Sequence, residues 1–174
     1  MKIVKCTENQ LDELILVAKQ SFIEAFEKNS DPDNFKVYVN KAFTREAVLE
    51  ELQNAESVFY FLQTAEGENV GYVKLRWDRS DEFFKTERAL ELQRIYLLET
   101  HWNKGLGKIL LDFSETYALE NGFEWIYLIV WHQNFGAIKF YERQGWAVFG
   151  SKDFQFGNEI HHDHALRKKL TNKI

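Results

Sequence analysis

A chain of 174 residues, 45% hydrophobic and 28% charged, is long and apolar enough to bury one core without disulfide or metal staples, which excludes a disordered segment and a staple-dependent mini-protein. The formal net charge of -5 disfavours nucleic acid and anionic membrane surfaces as partners and mildly favours a cationic one such as an amine. The single cysteine, Cys6, cannot form an internal disulfide, and no run approaches the roughly 20 apolar residues of a membrane span, so a cytoplasmic protein is expected.

Lys2 to Cys6 reads as a short first strand, with Cys6 as a buried small hydrophobe rather than a nucleophile. Thr7-Glu8-Asn9-Gln10 has the pattern of a capping box and opens a helix to about Glu27, whose apolar stripe is Leu11, Leu14, Ile15, Ala18, Phe22 and Phe26. Pro32 follows Asp31 where a second helix begins, and Thr44 caps a third that runs to about Gln53. Ser57 to Leu62 is a strand, Glu66-Gly67-Glu68-Asn69 a hairpin turn and Val70 to Trp77 the partner strand, in which Gly71 marks a bulge or a close backbone approach. Asp78 to Arg88 reads as a loop at the sheet edge. Phe83 and Phe84 are too apolar for solvent and patch the core beneath it, the mouth of a substrate pocket being the alternative.

Leu90 to Leu98 suits a buried strand, and it leads into the corner Trp102-Asn103-Lys104-Gly105-Leu106-Gly107-Lys108. Leu106, Leu110, Phe113 and Tyr117 then recur at helical spacing, which predicts a helix to about Glu120, ended by Asn121-Gly122. Two glycines at such a corner let main-chain N–H groups converge where the helix dipole favours negative charge, a candidate phosphate cradle. Alone, a Gly-x-Gly is as often only a tight turn. Leu110 stands where a dinucleotide fingerprint needs its third glycine, and no Ser or Thr follows Gly107-Lys108 as a Walker A loop requires, so a nucleotide-binding protein is disfavoured.

Trp125 to Val130 is a continuous apolar run, as expected of a strand covered on both faces. Asn134 caps a further helix reaching Gln144, with Gly145 as its stop, and two last strands, about Trp146 to Phe156 and Glu159 to Arg167, are joined by Gly157-Asn158. Without repeats or linkers, residues 1–174 form a single domain, an α/β sandwich with a mixed sheet. His161, His162 and His164 surround Asp163, but alternation on a strand lets at most two imidazoles converge, so an exposed or partner-facing strand is expected and a metal is not.

Lys104-Gly105-Leu106-Gly107, followed by Asn134, Ala137-Ile138, Phe140-Tyr141 and Gly145-Trp146, resembles the paired motifs of the GNAT superfamily of acyl-CoA-dependent N-acetyltransferases, and the element order resembles that fold over essentially the full chain. Shorter strings, Leu90 to Tyr96, Val130-Trp131, Asp33 to Tyr38 and Ala42-Phe43, are similar to bacterial PaiA-type spermidine/spermine acetyltransferases. The resemblance implies a mixed, mostly antiparallel sheet with helices on both faces, acetyl-CoA as co-substrate without a metal, and a small-molecule amine, first a polyamine, as acceptor. A homodimer stays open. An acyl-CoA-sensing module without turnover is the alternative, as is acetylation of a peptide N-terminus or another small amine.

The resemblance also implies roles. The two central strands splay so that pantetheine pairs with the backbone of Ile95, Tyr96 and Leu97, while Asn103, Lys104, Gly105, Leu106, Gly107 and Lys108 hold the pyrophosphate, with Lys104 and Lys108 adding positive charge. Asn134 meets the pantetheine arm. Tyr141 is the general acid for the departing thiolate. Glu91 is the base or an anchor for the amine, the plain alternative being an ion pair with Arg94 or Lys74. Trp131, like Trp77, Trp125 and Trp146, reads first as core, though it follows the central strand and borders the acceptor side. Trp102 occupies the position where the family usually carries Gln or Arg, which bears on cofactor affinity.

Overall fold

The computed structural model describes residues 1–78 and 83–171, so residues 79–82 of the loop expected from Asp78 to Arg88 lie outside the described residues. Strands β1 (Lys2–Lys5), β2 (Ser57–Gln63), β3 (Asn69–Arg76), β4 (Ala89–Leu97), β5 (Trp125–Val130), β6 (Ala147–Phe156) and β7 (Glu159–Lys169) form one sheet in the order β1-β2-β3-β4-β5-β7-β6. Every neighbouring pair is antiparallel except β4 and β5, which run parallel. Helices α1 (Leu11–Phe26), α2 (Pro32–Ala42) and α3 (Arg45–Gln53) cover one face, and α4 (Leu106–Glu120) and α5 (Phe135–Arg143) the other. This is the mixed, mostly antiparallel sheet between two helical layers that the sequence leads one to expect.

Local chemistry places most boundaries. The Thr7 capping box forms, with Thr7 N–H donating to Gln10 Oε1 at 3.3 Å, but it closes a 3-10 turn over Glu8–Gln10 and α1 starts only at Leu11. Asp31 Oδ1 accepts the N–H groups of Asp33 and Asn34 at 3.1 and 2.9 Å, and Thr44 Oγ1 accepts that of Ala47 at 3.2 Å. Gly71 shows both features expected of it: the β2–β3 register shifts beside it, and a Cβ there would stand 2.6 Å from the Tyr96 carbonyl oxygen. Phe84 is buried against Tyr127, Trp125 and Phe149, so it patches the core. Cys6, just past β1, is buried, and burial pushes its thiol up to about 12, with Glu13 adding to the shift.

Alternation sorts the strand residues into two cores. On β2, Val58, Tyr60 and Leu62 face α4, whereas Phe59 and Phe61 face α1 to α3. On β4 the alternation slips. Leu90 and Leu92 face α4 before the slip, and Ile95 and Leu97 face it afterwards. The cause is a bulge: Lys74 of β3 lies opposite Arg94 and the next residue, Leu75, opposite Leu92, which leaves Gln93 as the extra residue. β4 then bends away from β5. Only Ala89, Leu90 and Glu91 pair with Trp125, Ile126 and Tyr127, and the two strands part beyond that point.

The bulge also fixes a buried charge cluster. Lys74, with a side chain 4% exposed, holds Glu51 Oε1 at 3.2 Å, and the Arg94 guanidinium grips the same carboxylate at 2.7 and 2.9 Å. Burial pushes the Lys74 ammonium down to about 8, with Glu51 opposing the shift. Because the folded value lies below the ordinary lysine value of about 10.4, the unfolded chain carries a proton that the folded chain lacks between those limits, and stability rises with pH across that window. Lys74→Met is expected to abolish this rise. Thermal unfolding of both proteins at about pH 7 and 10 should show the wild type gaining on the order of 2 kcal/mol relative to the variant.

Candidate active site

Where β4 and β5 part, a cleft of about 280 Å³ opens. Its walls include Ile95, Leu97, Leu128, Asn134 and Tyr141, with Trp102 and Gly107 also on its lining. A second cavity, of about 450 Å³, lies on the α1–α2 side and is lined by Tyr38, Glu51, Arg76, Glu91, Arg94 and His161, among others. Phe26, Gln93, Tyr96, Ile129 and Trp131 border both. The extra residue of the bulge thus stands at the junction of two cavities.

Strand geometry separates the three β4 residues expected to meet pantetheine. Leu98 N–H donates to the Val70 carbonyl at 2.9 Å, so by antiparallel alternation the main chain of Tyr96 also faces β3, and that of Ile95 and Leu97 faces the cleft. Tyr96 also lines the cleft, and its ring packs against Phe22, Phe26 and Tyr72. Leu97 is already partly engaged, because the Trp102 indole N–H donates to its carbonyl oxygen at 2.8 Å. Trp102 therefore pins the corner to the end of β4.

At the corner, Asn103 (φ 59°) and Gly105 (φ 75°) both take the left-handed conformation, which turns the chain into the first turn of α4. The N–H groups of Leu106 and Gly107 fall in that turn, where a helix supplies no internal acceptor. A Cβ added at Gly107 would meet no atom within 4 Å, so the space beside it is open. The Lys108 ammonium sits on Asp112 at 2.6 and 2.8 Å, one helical turn on. Lys104 is exposed beside the turn. The positive character of the corner thus rests on main-chain N–H groups and Lys104.

Asn134 caps α5, its Oδ1 accepting the Ala137 N–H at 3.1 Å, which leaves its amide NH2 for other partners. Tyr141 is 7% exposed, packed on Phe140 and Trp146 with ring centroids at 5.3 and 5.6 Å. Burial pushes its phenol above the ordinary range, so it stays protonated at neutral pH.

Glu91 lies on the second cavity's wall, 5% exposed, with Arg76 Nε 2.6 Å from its Oε2. The partner differs from the two weighed from sequence, Arg94 and Lys74, both of which hold Glu51 instead. Register is the reason. Glu91 stands opposite Arg76 before the bulge, and Arg94 opposite Lys74 after it. Among the cavity's other acids, Asp163 accepts the His132 main-chain N–H at 3.3 Å and lies 3.5 Å from its Nδ1. The aromatic lining includes Phe22, Phe26, Tyr38, Tyr96 and Phe156. α2 is tied to the β6–β7 turn by Asn34 and Asn158, which exchange hydrogen bonds of 2.7 and 3.2 Å, and this brings Tyr38 against Phe154 and Phe156.

The histidine strand divides as alternation requires. His162 pairs with Asp153 at 2.5 Å with both side chains exposed, whereas His161 turns into the second cavity. Among the described residues no group of three or more His, Cys, Asp or Glu side chains is placed to hold a metal. Sequence reasoning passed over Arg76, Glu51 and Gln93; the only trace of them is a break in the period of two between Leu92 and Ile95.

The profile of the Acetyltransferase (GNAT) family matches residues 20–146. A Lactobacillus delbrueckii subsp. lactis protein named an uncharacterized N-acetyltransferase in the pepI 3′ region is 33% identical over 174 residues, spanning 98% of each chain. Spermidine N(1)-acetyltransferase of Thermoplasma acidophilum is 23% identical over 151 residues, 85% of this chain and 89% of the relative. The crystal structure of the PaiA N-acetyltransferase from Thermoplasma acidophilum, in complex with coenzyme A, matches the fold with a TM-score of 0.74 over 97% of this chain and 98% of that one, at 23% identity. With parted parallel strands, a glycine corner opening α4 and a family profile spanning both, this chain belongs to the GNAT family of N-acetyltransferases.

Proposed function

We propose that this protein moves the acetyl group of acetyl-CoA directly to a primary amine, with polyamines such as spermidine and spermine as the leading acceptors. The observation that carries the reading is the meeting of two cavities at Gln93, Tyr96, Ile129 and Trp131, one leading from the glycine corner and the other walled by carboxylates and aromatic rings. A thioester entering from one side and an amine from the other meet at that junction. Aromatic faces and acids suit an alkylammonium group, and the Thermoplasma relative named for spermidine supports the same acceptor class.

In this reading the N–H groups of Gly105, Leu106 and Gly107, helped by Asn103 and Lys104, hold the pyrophosphate, since the helix N-terminus concentrates positive potential there, while the Lys108 N–H donates to the Gly105 carbonyl at 3.1 Å and closes the turn. Ile95 and Leu97 pair with the pantetheine amides as an added strand would, and the Asn134 amide donates to the same arm. Tyr141 protonates the departing sulfur. Burial strengthens its hold on the proton, but the same dry setting destabilises the thiolate and raises its proton affinity, so the transfer remains close to balanced. Glu91, already bridged to Arg76, serves as an anchor for the acceptor's ammonium through its remaining oxygen.

Thiol release from acetyl-CoA against a broad amine panel tests the reading. Spermidine or spermine should react fastest; reaction of peptide N-termini with none of spermidine overturns the acceptor class, and absence of acetyl-CoA binding by calorimetry overturns the whole reading. Tyr141→Phe should lower kcat by about 10²-fold with acetyl-CoA affinity unchanged. The two corner glycines should separate stability from binding. Gly105→Ala forces a side chain into the left-handed region and should cost about 1 kcal/mol in unfolding experiments. Gly107→Ala should leave stability intact, because its methyl meets no atom, and weaken acetyl-CoA by about tenfold, because that methyl stands where the ligand approaches.

A further inference from the structure

The acceptor cavity holds acids in plenty, yet each is committed. Glu51 is gripped by Arg94 and Lys74, Glu91 by Arg76, and Asp163 by His132. The Asp153 carboxylate pairs with His162 on the opposite face of the β6–β7 hairpin. Protonating Glu51 or Glu91 would leave a buried guanidinium or ammonium without its counter-ion, whereas Asp163 and Asp153 pair with histidines. An acceptor amine arrives as an ammonium ion and must lose a proton before it can attack. Glu51 and Glu91, the two carboxylates held by cations, are thus occupied, and the other titratable side chains on the cavity wall are the candidates for the base.

His161 meets the requirement. It lies on β7 opposite Phe154 of β6, with a side chain 20% exposed and turned to the cavity. Its ring stacks on Trp131 at 6.1 Å and 23°, and Trp131 borders both cavities, so the imidazole stands one ring away from the junction. His132 meets it edge-on at 5.9 Å, and Phe156 flanks it at 5.7 Å. Nε2 lies 3.2 Å from Glu159 Oε2. With Nε2–H donating to that carboxylate, Nδ1 keeps its lone pair, the arrangement by which a carboxylate fixes the tautomer of a catalytic imidazole. The charged and titratable groups around it are Glu159 and Asp163 on β7, Lys152 on β6 and His132 after β5, with the Glu91–Arg76 and Glu51–Arg94 pairs also on the cavity wall.

We propose that His161 is the general base of acetyl transfer, taking a proton from the acceptor's ammonium group inside the cavity. This rests on the acetyl-transfer reading and adds a residue to it. The ammonium gives one proton to Nδ1, which passes it to solvent. The neutral nitrogen attacks the thioester carbonyl carbon, forming the C–N bond. As the C–S bond breaks, Tyr141 protonates the sulfur and recovers a proton from the nitrogen. The products are the N-acetyl amine, the CoA thiol and one proton in water.

The test compares wild type, His161→Gln and His161→Ala with the fastest amine of the panel, as kcat/KM from about pH 5.5 to 9.5, alongside acetyl-CoA binding by calorimetry. The glutamine variant is expected to bind acetyl-CoA as the wild type does, to turn over about 10²-fold more slowly and to lose the acidic limb of the profile. Added imidazole should restore part of the rate of the alanine variant. A glutamine variant within about threefold of wild type, with the same pH profile, overturns the proposal while leaving acetyl transfer in place. A variant that loses acetyl-CoA binding as well also counts against it, since the ring would then be structural. A wild type that acetylates no amine overturns the acetyl-transfer reading and this proposal with it.

Discussion

One extra residue in β4 governs the molecule. Without the bulge at Gln93, the period of two would run unbroken from Leu90 through Leu98, and the odd positions after it would face α1 instead of α4. Ile95 and Leu97 would then leave the α4 core, and Arg94 and Tyr96 would lose the second cavity. A bulge costs one rung of the ladder and adds local twist, and both effects are used here. The twist carries β4 away from β5 after three paired residues, so the sheet opens beside the corner that starts α4.

The same slip distributes the charges. Cross-strand neighbours on β3 and β4 are Arg76 with Glu91 on one side of the bulge and Lys74 with Arg94 on the other. The first pair is opposite in sign and closes on itself at 2.6 Å. The second is like-signed, and like charges directly opposed are destabilising, so a third group is required. Glu51 of α3 supplies it, bonded to both. A helix that would otherwise be a peripheral lid is thereby fastened to the centre of the sheet, and α2, which leads into it, is held in turn by Asn34 against the β6–β7 turn. The walls of the second cavity are assembled by polar contacts whose loss would leave buried charge unpaired, a cost that specifies the arrangement more strongly than it stabilises it.

Much of this was legible in the chain. Caps at Asp31, Thr44 and Asn134 are chemical marks that need no tertiary information, and the structure forms all three. The helix faces and the order of elements follow from periodicity, which depends only on near neighbours in sequence. What could not be read is what depends on register. Whether Glu91 meets Arg76, Arg94 or Lys74 turns on a single residue of slippage between strands separated by a loop, and apolar strings do not encode that directly. The spacing of Leu90, Leu92, Ile95 and Leu97 does contain the slip, because two, three and two cannot belong to a regular strand with one constant face. The Lys108 ammonium rests on Asp112, which stands one turn away on the same helical face, a pairing that follows from the i, i+4 spacing alone. His161 needed the sheet order, since only the insertion of β7 between β5 and β6 brings its face to the cavity.

Trp102 shows how a substituted side chain can be absorbed by geometry. In the acetyl-transfer reading the corner binds phosphate through main-chain N–H groups, and what matters is that Asn103 and Gly105 hold their left-handed conformations and that α4 begins where it does. A side chain there contributes by fixing the corner relative to the strand. The indole does so by hydrogen-bonding the Leu97 carbonyl, the last cleft-facing acceptor of β4. The strand edge available to a ligand is thereby shortened by one group, while the distance between that edge and the helix N-terminus becomes fixed. In the acetyl-transfer reading, an arm that pairs with Ile95 and the Leu97 N–H and ends at Gly107 is measured against a rigid span, so an amide hydrogen bond is exchanged for preorganisation of both ends of the site.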